Sequence, residues 1–189
     1  MRAFLLFVLL VFGGTGSAED QRRTADDPKE TNITRADLPG FQVIGIEART
    51  TNAKEAIAAG IIPQQWQKFF QEGIQTKIPD KVGSNIYAVY SDYASDHNGE
   101  YTYLIGAMVK DGTAPPVGMV AKRVPAGQYA VLTTGRGPLS QVVPRTWQKV
   151  FRLEGDGKLK RAYQTDFEIY DQRAQDPQNG QVDIYVGTK

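Results

Sequence analysis

An internal repeat constrains this chain more than any other feature. Pro63-Gln64-Gln65-Trp66-Gln67-Lys68-Phe69-Phe70 returns as Pro144-Arg145-Thr146-Trp147-Gln148-Lys149-Val150-Phe151, with Pro, Trp, Gln, Lys and the final Phe kept in place. A second block follows in the same order. Tyr90 matches Tyr170, Ala94 matches Ala174 and Asp96 matches Asp176; after a one-residue gap, Gly99 and Gly106 match Gly180 and Gly187. One shared tryptophan could be coincidence, but two blocks in one order and spacing are a duplicated unit. A unit this short has one helix to lay on one sheet face and cannot cover itself, so two copies must share a core.

Each copy reads locally. Phe41–Thr50 is β-rich and follows Pro39-Gly40. From about Ala53 to Gly73 the pattern turns helical, with Ile62, Trp66, Phe69 and Phe70 in a core-facing stripe. Pro63 fits the first turn of that helix, where a missing N–H costs nothing. Ile86–Tyr93 and Tyr101–Lys110 are strands across a turn that carries Asn98-Gly99. The second copy has strands Met119–Val124 and Gln128–Thr134, a helix from about Leu139 to Leu153, and strands Asp166–Arg173 and Gln181–Gly187. The expected fold class is α+β: tandem strand-helix-strand-strand repeats forming one antiparallel sheet, helices on one face and a ligand groove on the other.

The first 39 residues read differently. Arg2, the apolar run Phe4–Phe12 and the small residues up to Ala18 form a signal peptide over 1–18. The run is shorter than the ~20 residues a bilayer span needs, so no stable membrane insertion is expected after cleavage. Residues 19–39 are polar, with only Ile33 and Leu38 large and apolar, and read as a flexible tether. The ligand-binding domain is then 40–189, with repeats at about 40–110 and 118–189. The expected location is the bacterial periplasm.

Composition closes several routes. Of 22 basic and 21 acidic residues, Arg2 leaves with the signal, so the mature chain is formally neutral and nucleic acid is not an expected partner. Zero cysteines exclude disulfides, thiol catalysis and thiolate metal sites, and one histidine excludes a multi-histidine centre. No metal or cofactor is expected. That histidine, His97, sits in a turn beside Asp96 and Asn98 and reads as solvated.

What remains is carboxylate and tyrosine chemistry. In Phe167-Glu168-Ile169-Tyr170, period-2 alternation sets Phe167 and Ile169 on one face and Glu168 and Tyr170 on the other. With Phe167 and Ile169 turned to the helices, Glu168 and Tyr170 point into the groove. The other copy has Ala88 and Tyr90 at the equivalent points, so the groove holds one carboxylate and a tyrosine from each half. Tyr185 is a candidate for the same face, and Trp147 could present an edge to it. A carboxylate ringed by aromatics suits a lipophilic cation. The plainer readings are a solvent-facing glutamate and two core tryptophans at helical spacing.

Ile62-Pro63-x-x-Trp66, Ile86–Tyr93 with its Asn-Gly-Glu-Tyr turn, Val124-Pro125-Ala126-Gly127, Phe167-Glu168-Ile169-Tyr170-Asp171 and Val182-Asp183-Ile184-Tyr185 together resemble the GyrI-like small-molecule-binding domain. The same domain is the effector-binding half of AraC- and MerR-type regulators. The resemblance covers about 41–187 and implies the tandem-repeat fold already read, with a groove for hydrophobic, often cationic compounds around a central glutamate. Glu168 matches that glutamate's motif; Tyr170 and Tyr185 match groove-lining positions. The expected function is an exported binding protein for such compounds, monomeric or weakly dimeric, with Glu168, Tyr170, Tyr90, Trp147 and Tyr185 as ligand-binding residues. The alternative is a hydrolase of electrophilic, cyclopropanoid-type compounds with Glu168 as general acid or base. A third reading is a groove that docks a polypeptide.

Overall fold

A computed structural model describes residues 33–57 and 60–189. The expected signal peptide and the first part of the expected tether lie outside the described residues. The strands are β1 (Thr34–Leu38), β2 (Phe41–Thr51), β3 (Ile86–Ser91), β4 (Glu100–Val109), β5 (Val120–Val124), β6 (Gly127–Thr133), β7 (Arg161–Tyr170) and β8 (Asp183–Thr188). The helices are α1 (Asn52–Glu55), α2 (Ile61–Gln71), α3 (Ile74–Lys77) and α4 (Leu139–Gly155).

All eight strands form one sheet in the order β1-β6-β8-β7-β3-β4-β2-β5, and every pairing is antiparallel. The order carries the duplication. The triplet β2-β4-β3 with α2 mirrors β6-β8-β7 with α4, and the halves join along β3 and β7. There Ala88 faces Glu168 directly, so the pseudo-twofold passes through these two equivalent positions.

Thr34–Leu38, expected to be part of the tether, is strand β1, paired with β6. An edge strand is held by its backbone ladder and needs few apolar side chains. The second copy signals it: Val120–Val124 precedes Pro125-Ala126-Gly127 as Thr34–Leu38 precedes Pro39-Gly40. The two leading strands are exchanged, β1 pairing with the second half and β5 with the first.

This exchange curls the sheet. β1 and β2 stand first and seventh in strand order yet are joined by Pro39-Gly40 alone, a link that spans at most ~10 Å. β5 and β6 are joined as closely at the same place, where Leu38 pairs Gly127 and Phe41 pairs Val124. The sheet edges therefore meet without a closing ladder, and the helices lie outside the curl. Sharp coiling brings β2 and β4 so close at the Gly45–Gly106 pair that a Cβ on either glycine would sit 2.0 Å from a backbone carbonyl oxygen.

Burial divides between the two faces. Outside the curl, Ile44, Phe69, Ile74, Ala88, Tyr103 and Ile105 pack under α2 and α3, while Leu132, Val150, Ile184 and Val186 pack under α4. Inside it, Val43, Val89, Leu104, Val124, Tyr129 and Phe167 form a second core. α4 starts five residues before Pro144, so this proline lies in the helix interior rather than in its first turn. Pro63 does fall in the first turn of α2.

Candidate functional site

β7 decides the site, and its alternation runs with the opposite parity to the one expected. Glu168 and Tyr170 face the helices, whereas Phe167 and Ile169 face the inside of the curl. Period 2 separates two faces but does not say which one a helix covers. Register corrects Tyr185 in the same way. Glu168 pairs with Ile184 and Phe167 with Tyr185, so Tyr185 lies on the inner face, stacked on Phe167 at 4.6 Å and 7°. Glu168, Tyr170, Tyr90 and Trp147 come together; Tyr185 does not join them.

Glu168 is 1% exposed, so it is not the solvent-facing glutamate of the plainer reading. Its carboxylate accepts three hydrogen bonds, from Trp147 Nε1 at 2.6 Å and the Tyr90 hydroxyl at 2.9 Å on Oε1, and from the Tyr170 hydroxyl at 2.7 Å on Oε2. All three donors are neutral, and no ion pair to Glu168 exists among the described residues. Burial raises its pKa above the usual carboxylate value, and the three hydrogen bonds oppose that rise only in part. Burial, followed by the Glu168 charge, pushes the Tyr90 and Tyr170 phenols well up, which keeps them protonated as donors.

Aromatic rings surround the carboxylate. Trp147 meets Tyr90 at 5.1 Å, and Trp66 of α2 meets Tyr170 at 4.7 Å. The repeat-related tryptophans thus flank the single glutamate, one from each half. Tyr90 packs in turn on Tyr103 at 5.2 Å and Tyr101 at 5.7 Å. Trp66, Tyr101 and Tyr103 were not among the expected site residues. The repeat equates Trp66 with Trp147, and the register Tyr90↔Tyr103 carries the face across to β4.

The nearest buried cation is already engaged. A bulge between Arg161 and Asp166, with Tyr163 at φ 53°, shifts the parity of β7 so that both side chains meet on one face. Arg161 Nη2 lies 2.5 Å from Asp166 Oδ2, and Nη1 lies 3.7 Å from Glu154. Asp166 also accepts from the Tyr93 hydroxyl and from the Gly187 N–H. Burial, the largest influence, works against the charged guanidinium, but Asp166, Tyr93 and Tyr163 together outweigh it and raise the Arg161 pKa. The guanidinium lies over the Tyr163 ring at 4.3 Å and 5.7 Å from the Trp147 ring. His97 is outside this network's buried part, 3.4 Å from the Tyr163 hydroxyl and largely exposed. The described residues hold no cluster of His, Cys, Asp and Glu able to bind a metal.

Two exchanged βαββ halves with a buried, aromatic-ringed carboxylate at their seam define a small-molecule effector-binding domain. Residues 36–187 match the Cass2 family, the integron-associated effector binding proteins, and the chain belongs to that family. The GyrI-like resemblance is borne out at this level. YobU of Bacillus subtilis (strain 168) is 33% identical over 160 residues, 84% of this chain and 98% of YobU. The integron cassette protein VCH_CASS2 of Vibrio cholerae superimposes with a TM-score of 0.65 at 28% identity, over 83% of this chain and 95% of that one. SAV2435, whose structure holds tetraphenylphosphonium, superimposes with a TM-score of 0.68 at 18% identity, over 84% of this chain and 94% of that one, which speaks for the fold.

Proposed function

We propose that this chain is an exported binding protein for lipophilic cations, held on Glu168 between Trp147, Trp66, Tyr90 and Tyr170. One observation carries the reading: a fully buried carboxylate has three neutral hydrogen-bond donors and no counter-cation among the described residues. Burying a charge is costly unless an opposite charge joins it. A cation that brings its own apolar surface supplies that charge, and ring faces add about 0.5–2 kcal/mol each. A strongly hydrated cation is excluded by the same apolar walls. Tetraphenylphosphonium in SAV2435 supports the ligand class. Because Glu168 is covered, the ligand reaches it only when the partly exposed Trp66 and Trp147 side chains give way.

In this reading residues 1–18 are an export signal, the mature chain acts in the periplasm, and it works as a monomer or weak dimer without nucleic acid. Tetraphenylphosphonium titration of wild type and Glu168→Gln tests the site. The variant loses at least tenfold in affinity, about 1.4 kcal/mol. Equal affinities would remove Glu168 from the site.

The raised Glu168 pKa favours a second reading, a hydrolase in which the protonated carboxyl acts as general acid and Tyr90 or Tyr170 assists. Turnover of an electrophilic cyclopropanoid that vanishes in Glu168→Gln while binding survives would favour it; stoichiometric binding without product argues against it.

A further inference from the structure

The inner face of the curl holds a cavity of about 260 Å³ that the Glu168 site does not use. Phe41, Tyr87, Met108, Phe167, Ile169 and Tyr185 line it, and the Leu38–Gly40 link closes one end. We infer that this cavity is a second binding site, for an uncharged planar aromatic molecule of about two rings.

The chemistry of the walls selects that class. No lining residue is charged, so a cation or an anion entering here would lose its hydration without a partner. The rings already show how a flat guest can lie: Tyr185 stacks on Phe167, while Phe41 meets Phe167 edge-on at 5.4 Å and 86°. The Tyr87 hydroxyl is turned to the Met108 sulfur at 3.7 Å, a weak acceptor. A dry apolar cavity of about 150 Å³ holds benzene, so about 260 Å³ has room for a fused pair of rings. Edge closure fixes the shape, because the walls come from β2, β3, β4, β7 and β8 around one short link.

The two sites are back to back on β7. Phe167 and Ile169 line the cavity, and Glu168 between them faces the helices. They differ in charge preference, which separates them experimentally.

Methionine methyls supply the readout on the full chain. Met108 lines the cavity, whereas Met119 packs against the core under α2 and α3. Naphthalene is titrated into protein carrying 13C-methyl methionine. The Met108 methyl shifts saturably by ring current, the Met119 methyl stays in place, and Glu168→Gln leaves the dissociation constant within twofold. Ile169→Trp, which fills the cavity, weakens it at least tenfold; if that variant does not fold, the selectivity of the wild-type shifts still decides. A Met108 methyl that naphthalene never moves overturns the proposal, the cavity then being closed by the chain itself. One that follows protein concentration alone overturns it too, the face then being a contact between copies. A tenfold loss in Glu168→Gln does the same by moving the guest to the helix side.

Discussion

Glu168 takes hydrogen bonds from three neutral donors, and its charge sits where water cannot reach it. The folded chain therefore holds a proton there more tightly than the unfolded chain does. Stability is greatest below the ordinary carboxylate range and falls as pH rises from that value to the raised one. Glu168→Gln keeps an oxygen for Trp147 and Tyr90 and offers an N–H to the Tyr170 oxygen. At pH 7 its melting point should exceed wild type, by about 2–4 °C for each kcal/mol recovered, and the gap should close below pH 4.5, the usual carboxyl value. A lower melting point at pH 7 would mean that the carboxylate is not strained by its burial. Arg161 and Asp166 make the opposite case, a buried charge whose partner is present. Removing one member leaves the other uncompensated, so Arg161→Met should cost about 3–5 kcal/mol in urea unfolding. Adding Asp166→Asn should restore part of that, because the amide still accepts from the Gly187 N–H. If the double variant is no more stable than the single, packing and not charge is being measured. Glu168 is legible as a carboxylate inside an apolar strand. Its burial is not, since that depends on donors from β3 and α4 that no local pattern joins.

At the scale of elements, most strands and both long helices follow from periodicity, and the departures have physical causes. β1 was hidden because pairing with β6 is a backbone affair that leaves its side chains largely exposed. β7 begins at Arg161, earlier than its alternation suggests, because the bulge at Tyr163 interrupts the period. The inverted parity that sends Tyr185 away from Glu168 has a similar origin: alternation assigns residues to faces, and only the packed helices name the faces. Gly45 and Gly106 sit where β2 and β4 coil most tightly. Gly106→Ala should therefore destabilise by about 2–4 kcal/mol, comparable to overpacking a core, whereas Ala at the open Gly155 should be close to neutral. Circular-dichroism melts of the two variants check this, and equal melts would contradict the close approach. Pro144 in α4 withholds an N–H from the Ser140 carbonyl.

For the whole molecule, the duplication makes the single sheet, the helices on one of its faces and the pseudo-twofold readable from the sequence. The curl is not readable there, because it follows from exchange of β1 and β5 between halves, a relation between strands more than 70 residues apart. The curl also gives the domain two unlike faces, one around a buried carboxylate and one with a cavity whose lining residues are uncharged. The twofold sets Ala88 against Glu168, so a near-symmetric fold holds a single buried carboxylate at its seam, and in the function we propose one half gives the charge and the other gives space. In the function we propose, this carboxylate holds the ligand when it is ionised. The most direct test is tetraphenylphosphonium affinity as a function of pH in wild type and Glu168→Gln. Affinity for wild type should fall on acidification at a pH above the usual carboxylate range, and the variant should bind weakly and without that dependence. Wild type and variant binding alike at every pH would mean that the Glu168 charge does not hold the ligand.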